Sequence, residues 1–116
     1  MEGEENVYSH SIFFGGIMAV ESAFQKQLIN EIKELLPGSI VLKNDPNYIQ
    51  GIPDLIVVYE GSWAALECKK NAAAKHQPNQ DYYIDKMNNM SFASFVYPEN
   101  KQEVLDALQQ SFGIEG

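Results

Sequence analysis

Hydrophobic and polar positions follow helical spacing in some parts of this chain and strand spacing in others. From Ala19 to Leu36, apolar residues recur every three to four positions, which predicts an amphipathic helix that Pro37-Gly38 ends. Residues 39–43 form a short β-branched run, and the turn residues after them predict that this run is a strand. The domain is therefore predicted to begin with a helix followed by a strand.

Two longer apolar runs predict a β-hairpin. Residues 49–60 and 63–70 are separated by Gly61-Ser62, a pair typical of a two-residue turn. Both runs are apolar at successive positions rather than at alternate ones, which is typical of strands covered on both faces. We therefore expect helices on each side of the sheet.

The C-terminal part adds a helix, a strand and a second helix. The pattern predicts a helix over 79–89, a strand over 92–97 and a last helix that opens at Pro98-Glu99-Asn100. Because the last strand returns through a helix, it should lie parallel to a central strand. The prediction is thus a single α/β domain with a mixed β-sheet flanked by helices, in the order α-β-β-β-α-β-α.

Length and composition agree with one domain. A chain of 116 residues that is 45% hydrophobic can bury a core of its own. Residues 1–17 precede the predicted helix and are interpreted as an N-terminal extension, either disordered or not native to the protein, with the domain at 18–116. If the extension is native, its apolar segment Ile12-Phe13-Phe14 is a candidate for contacts with a second copy of the chain.

The sequence predicts an intracellular protein that is not associated with a membrane. The apolar stretch from Ile12 to Val20 is short and interrupted by glycine, which excludes a membrane span, and acids precede it where a secretory signal would carry basic residues. Cys68 is the single cysteine and cannot form an internal disulfide, which is typical of a reducing compartment.

The charge of the chain is strongly acidic. Sixteen Asp and Glu residues stand against eight basic residues, all of them lysine, which gives a net charge of −8. Phosphate binding usually requires clustered positive charge, so this composition argues against a broad basic face for DNA or RNA.

Acidic residues interrupt the apolar hairpin. If Glu60 pairs with Trp63 across the turn, Asp54 lies opposite Lys69. Glu67 is then the diagonal neighbour of Asp54, roughly 7–8 Å away between backbone positions. Because side chains alternate between the two faces of a sheet, Asp54, Glu67 and Lys69 share one face. The hairpin thus brings two carboxylates and one ammonium together.

Carboxylates on otherwise apolar strands need compensation, because an unpaired buried charge costs several kcal/mol. A hard cation such as Mg²⁺ supplies it, since Mg²⁺ takes one or two carboxylates and fills its other positions with water, carbonyl or phosphate oxygens. Such an ion acidifies a bound water and neutralises charge in a phosphoryl-transfer transition state. A lysine on the same face can orient or polarise the attacking water.

These residues resemble a known nuclease signature. Ile52-Pro53-Asp54, a twelve-residue gap and Glu67-Cys68-Lys69 resemble the PD-(D/E)xK motif, and the order of elements is similar to the restriction-endonuclease-like core of that superfamily. Gly51 before the first motif, Lys43 upstream and a glutamine after the second motif resemble the VRR-Nuc branch and the virus-type Holliday-junction resolvases near it. Short nucleases of that kind are commonly encoded by phages.

The resemblance implies a role for each matching position. Asp54 and Glu67 would be metal ligands, joined by the main-chain carbonyl of Cys68, and Lys69 would position the nucleophilic water. Glu21, on the first helix, matches an acid that the family often places beside the metal. The supporting glutamine of this branch is either Gln80 or Gln77, and Gln80 is preferred because it opens the helix over 79–89. The expected cofactor is Mg²⁺ or Mn²⁺.

Four further residues are candidate DNA contacts. They are Lys43, Lys70, Lys75 and His76. Lys70, Lys75 and His76 form a local positive cluster, whereas a lysine at a strand end such as Lys43 is also commonly only solvated. The absence of arginine is a departure from what phosphate recognition usually employs.

The sequence therefore predicts a metal-dependent DNA endonuclease with selectivity for branched or junction DNA. A homodimer is expected, because resolving a junction needs two symmetric cuts, and the expected location is the cytoplasm of a bacterium or of a phage-infected cell. Two alternatives remain. One is a non-catalytic nucleic-acid-binding or recombination accessory protein of the same fold, and the other is a small protein-interaction domain whose acidic surface meets a basic partner.

Overall fold

A computed structural model describes the backbone of residues 12–114 and the side chains of residues 21–114. Its elements are helix α1 (Ile12–Leu35), strands β1 (Ile40–Lys43), β2 (Leu55–Tyr59) and β3 (Ser62–Cys68), helix α2 (Gln80–Met90), strand β4 (Phe92–Val96), a 3-10 turn (Pro98–Asn100) and helix α3 (Lys101–Ser111). This order confirms the predicted fold class. Within residues 12–114, no helix is long and apolar enough to cross a membrane.

Helix α1 begins earlier than the sequence predicts. Its backbone is helical from Ile12 rather than from Ala19, so it includes the segment Ile12-Phe13-Phe14. The apolar spacing located the helix from Ala19 onward, because Gly15 and Gly16 interrupt the pattern before it and glycine has low helix propensity. Residues 1–11 lie outside the described residues, so the N-terminal extension and its contact with a second copy stay predictions.

The four strands form one mixed sheet in the order β1-β2-β3-β4. Strands β1, β2 and β3 pair antiparallel, and β4 pairs parallel with β3 after the crossover through α2. The parallel return through a helix is confirmed.

The register of the β2–β3 hairpin differs from the predicted one. Tyr59 pairs with Ser62, so the two-residue loop is Glu60-Gly61 and not Gly61-Ser62. Asp54 therefore lies opposite Glu67, one step beyond the last pair Leu55 and Leu66, and not opposite Lys69. A slip of two residues leaves every side chain on its own face, so the hydrophobic pattern does not distinguish the two registers. The observed one requires φ of 57° at Glu60, a conformation that a non-glycine residue adopts uncommonly.

Helices cover both faces of the sheet, as the apolar strands predict. Helices α1 and α3 pack on one face and form the larger core. Helix α2 packs on the other face over β3 and β4, where Ile84 contacts Ala65 and Ala93. At the β1 end of this second face the sheet stays open, since Ile40 and Leu42 are 58% and 51% exposed.

The loop between β1 and β2 is fastened against the start of α2. Gly51 has φ of 90°, and a Cβ at this position would lie 2.6 Å from the Cβ of Asn79. Only glycine fits there without displacing a neighbour. At the base of the loop, the main-chain N–H of Asn44 donates to the carbonyl of Asp54 at 2.8 Å. The loop that leads into Asp54 is thus held against the helix that begins with Gln80.

Candidate functional site

Asp54 and Glu67 form a facing pair on the α2 side of the sheet. Asp54 directly precedes β2, and Glu67 lies near the end of β3 with 4% of its surface exposed. The main-chain N–H of Asp54 donates to Glu67 Oε1 at 3.2 Å, and the main-chain N–H of Cys68 donates to Asp54 Oδ2 at 3.0 Å. The two residues are therefore directly opposed, and their backbone positions are closer than in the diagonal arrangement that the sequence predicted.

The electrostatics of this pair favour an added positive charge. Burial, and then the nearby Asp54 carboxylate, raises the pKa of Glu67 to about 8, although Lys69 opposes the shift. Burial also raises the pKa of Asp54, against the hydrogen bond from Cys68 and the charge of Lys69. Without a cation, the pair holds a proton at neutral pH.

Lys69 is buried beside the two acids, with 5% of its surface exposed. Its Nζ donates to Gln80 Oε1 at 2.7 Å and to the carbonyl oxygen of Lys75 at 3.1 Å. The same nitrogen lies 3.8 Å from Glu67 Oε2, which is longer than a hydrogen bond. Two of the three ammonium protons thus fix the side chain beside Glu67 without a direct hydrogen bond between the two charges.

Gln80 joins the lysine to the glutamate. Its Nε2 donates to Glu67 Oε2 at 2.9 Å, while its Oε1 accepts from Lys69 Nζ and, at 2.8 Å, from the main-chain N–H of Gln77. Gln80 is buried, whereas the side chain of Gln77 is exposed. Of the two glutamines that the sequence left open, the structure places Gln80 between the proposed catalytic side chains.

Glu21 approaches the pair from the other helical layer. Burial, followed by the charge of Asp54, raises its pKa, and the charges of Lys69 and Lys70 oppose that shift. One helical turn later, Gln25 makes a hydrogen bond with the Cys68 thiol and so ties α1 to the end of β3. Glu21 is therefore within electrostatic reach of both predicted ligands.

Cys68 contributes its backbone to the site. Its side chain points into the core under α1, and burial raises the pKa of the thiol, which stays protonated. Its N–H orients Asp54, a contact that the sequence did not predict. The expected role of its carbonyl as a metal ligand stays a prediction.

Comparisons with known proteins give a likeness in fold. A solved structure described as a VRR_NUC domain protein superposes with a TM-score of 0.59 over 82% of this chain and 89% of that chain, at 18% sequence identity. The chain has a VRR-Nuc-like fold. No family model matches the sequence, and a search of curated proteins finds no match.

Within the VRR-Nuc-like fold, the four candidate DNA contacts have different surroundings. Lys70 is half-buried and near enough to Glu21 to lower its pKa. Lys75 is exposed, and its carbonyl holds Lys69. His76 is paired with Asp81, with 2.7 Å between Nδ1 and Oδ1. Lys43 is exposed and lies opposite Leu55, which places its side chain on the face away from Asp54.

The residues of this site fit a hard divalent cation. In the part of the chain whose side chains are described, no three His, Cys, Asp or Glu residues come close enough together to form a complete metal site. Asp54 and Glu67 nevertheless supply two acidic oxygens, a number that suits Mg²⁺ when water and phosphate complete its shell. Their raised pKa values show that burial leaves their negative charge undercompensated, and a cation removes that penalty.

Sequence reasoning missed three parts of this site. Asp81 binds His76, Phe95 stacks on the same imidazole, and the carbonyl of Lys75 accepts from Lys69. All three contacts depend on how the loop over 71–79 folds back over the sheet. No spacing along the chain signals such a loop, so only the structure reveals them.

Proposed function

We propose that this protein is a divalent-metal-dependent endonuclease that hydrolyses phosphodiester bonds of DNA. The observation that carries the proposal is the facing pair of half-buried Asp54 and buried Glu67 beside a lysine that two acceptors hold in place. The likeness in fold to a solved structure described as a VRR_NUC domain protein supports the proposal.

Asp54 and Glu67 would hold Mg²⁺ or Mn²⁺, with the main-chain carbonyl of Cys68 as a further expected ligand. Glu21 does not lie close enough to complete a three-carboxylate site and would act through the waters of the ion. When bound, the ion lowers the pKa of a coordinated water and neutralises charge on the phosphate as it is attacked. Binding requires the proton on the pair to leave, since only ionised carboxylates are ligands.

Lys69 would position and polarise the attacking water. Its ammonium is fixed by Gln80 Oε1 and by the Lys75 carbonyl. The third N–H of the ammonium could therefore bind the water without a rearrangement of the side chain. Gln80 keeps Glu67 and Lys69 apart by bonding to both, which prevents them from closing into a direct ion pair at hydrogen-bond distance.

DNA affinity would rest on few cations. Lys43, Lys70 and Lys75 are the proposed contacts, on a chain whose net charge is −8, whereas the predicted contact His76 is already paired with Asp81. We expect binding that is weak, dependent on the metal and sensitive to salt, because each phosphate contact adds to the salt dependence. A branched or junction substrate is part of the proposal, since a single small domain has little surface for reading a long base sequence. A homodimer is part of it as well, because resolving a junction needs two symmetric cuts. The proposed location is inside the cell.

A cleavage panel tests the proposed function. Labelled four-way, flap, single-stranded and linear DNAs are incubated with the parent protein in Mg²⁺, Mn²⁺ or EDTA, with Asp54→Asn as the matched variant. Cleavage of at least one branched DNA in metal, its absence in EDTA and its loss in Asp54→Asn are the expected results.

Calorimetry distinguishes the accessory-protein alternative. If neither Mg²⁺ nor Mn²⁺ binds in the presence of DNA, and the protein still binds DNA, a non-catalytic role replaces the nuclease. Failure to bind any DNA at low salt would instead favour the protein-interaction domain.

A further inference from the structure

The imidazole of His76 is fixed on two sides although it belongs to a surface loop. Its Nδ1 and Asp81 Oδ1 are 2.7 Å apart, and its ring stacks on Phe95 with centroids 4.0 Å apart and planes inclined by 17°. The side chain of His76 is 36% exposed and that of Asp81 is 74% exposed. Phe95 itself packs against the smaller core cluster, so the stacking joins the loop to the sheet.

Both neighbours of His76 in the chain touch the proposed site. The carbonyl of Lys75 accepts a hydrogen bond from Lys69 Nζ, and the N–H of Gln77 donates to Gln80 Oε1. The orientation of these two peptide groups therefore depends on where the backbone at His76 lies.

The two residues that hold His76 stand next to the same site. Asp81 follows Gln80 at the start of α2, and Phe95 of β4 pairs with Glu67 of β3. The imidazole thus connects the loop to the helix that carries the amide and to the strand beside the buried acid.

We propose that His76 is a positioning residue for Lys69, and this rests on the proposed nuclease function. The His76–Asp81–Phe95 contacts fix the loop over 75–77, and the loop presents the Lys75 carbonyl to Lys69 Nζ. Without them, Lys69 loses one of its two hydrogen-bond acceptors and its ammonium moves relative to Glu67. Displacements of about 1 Å in a positioned catalytic group lower rates strongly.

Direct contact between His76 and a DNA phosphate is the competing role, and the two roles have different kinetic consequences. A phosphate contact made equally in the bound substrate and in the transition state affects KM, whereas a misplaced lysine affects kcat. The charge of Asp81 distinguishes the two roles in a second way. Removing the negative charge of Asp81 should tighten DNA binding if only overall electrostatics matters.

The experiment compares His76→Ala and Asp81→Ala with Asp85→Ala as the matched control. Asp85 is exposed on the same helix and carries the same charge as Asp81. The variant Asp81→Asn keeps an acceptor oxygen for Nδ1 and tests rescue. Cleavage kinetics give kcat and KM, and labelling of amines in the metal-free protein by an acetylating reagent, read by mass spectrometry, gives the reactivity of Lys69 relative to Lys86.

We expect kcat to fall about tenfold in His76→Ala and Asp81→Ala with little change in KM, and to recover largely in Asp81→Asn. Labelling of Lys69 should rise several-fold in the first two variants and stay at the parent value in Asp85→Ala. Unchanged Lys69 labelling in both His76→Ala and Asp81→Ala overturns the proposal, and so does a rise in KM with unchanged kcat. If the parent does not cleave DNA, the proposed function fails, while the labelling still decides the role of His76.

Discussion

Asp54 and Glu67 lie directly opposite each other across the hairpin, and each side chain accepts a hydrogen bond from the main chain of the other strand. Glu67 Oε1 accepts from the N–H of Asp54, and Asp54 Oδ2 accepts from the N–H of Cys68. The separation of the two acids is therefore set by the strand pairing itself rather than by flexible side chains.

Asp54→Asn and Glu67→Gln should each lower kcat/KM for DNA cleavage by about a thousandfold or more, because each removes an ionised ligand for the metal. The measurement is the initial rate on the best substrate of the cleavage panel. Circular dichroism of each variant should match the parent, and Asp85→Asn serves as a control for the charge change. Cleavage by Asp54→Asn at the parent rate would show that the site is assigned to the wrong residues.

Without metal, the protein should become less stable as the pH rises from about 4.5 towards 8. Burial raises the pKa of Glu67 from 4.5 to about 8, so the folded state binds a proton that the unfolded state has released within this window. The raised pKa of Asp54 acts in the same direction. Melting temperatures in EDTA across this range measure the effect.

Glu67→Gln is the matched variant for this pH dependence. An amide does not titrate, so the decline in melting temperature should be much smaller in Glu67→Gln, and the variant should be the more stable protein near pH 8 by about 1–3 kcal/mol. Adding Mg²⁺ at pH 8 should stabilise the parent and leave the variant nearly unchanged. Parallel pH profiles for the two proteins would contradict the buried environment of Glu67.

Gln80→Ala should be far more damaging than Gln77→Ala. The first change removes an acceptor from buried Lys69 and a donor from buried Glu67, which should cost about 2–4 kcal/mol of stability and on the order of a hundredfold in kcat. The second truncates an exposed side chain whose main-chain N–H still reaches Gln80 Oε1, so its stability should stay within about 0.5 kcal/mol of the parent. Urea unfolding and cleavage rates compare the two variants. Equal losses in both would show that Gln80 is not the glutamine that supports Glu67 and Lys69.

Gly51→Ala should destabilise the protein more than Gly38→Ala, although both glycines have φ near 90°. Nothing lies within 4 Å of a Cβ at Gly38, so that change should cost about 1 kcal/mol for the backbone conformation alone. At Gly51 the added Cβ meets Asn79 at 2.6 Å, and a total of about 2–4 kcal/mol is expected. Cleavage should fall only in Gly51→Ala, because only that change separates the Asp54 loop from α2.

The order of elements and the shared face of Asp54, Glu67 and Lys69 were predictable from the sequence, because periodicity fixes the face of each strand residue. The partner of Asp54 across the hairpin was not, since Glu60 adopts a conformation that sequence rules treat as uncommon for glutamate.

The surroundings of Lys69 were only partly predictable. Gln80 could be named, because it opens a helix soon after the second motif. The role of the Lys75 carbonyl could not be predicted, because every residue carries the same main-chain carbonyl. The contact between His76 and Asp81 could not be predicted either, because it depends on how the loop over 71–79 folds. The start of α1 was missed since Gly15 and Gly16 interrupt the apolar spacing before Ala19.

The Glu60-Gly61 loop joins the ends of β2 and β3 that are farthest from Asp54 and Glu67. Surface loops of this kind usually accept insertions and vary freely in length. Here, an extra residue that shifted β3 by one position would turn the Glu67 side chain towards α1, to the face of the sheet opposite Asp54. A change in the length of this remote loop therefore preserves the site only if the loop or a bulge takes up the extra residue and Asp54 still faces Glu67.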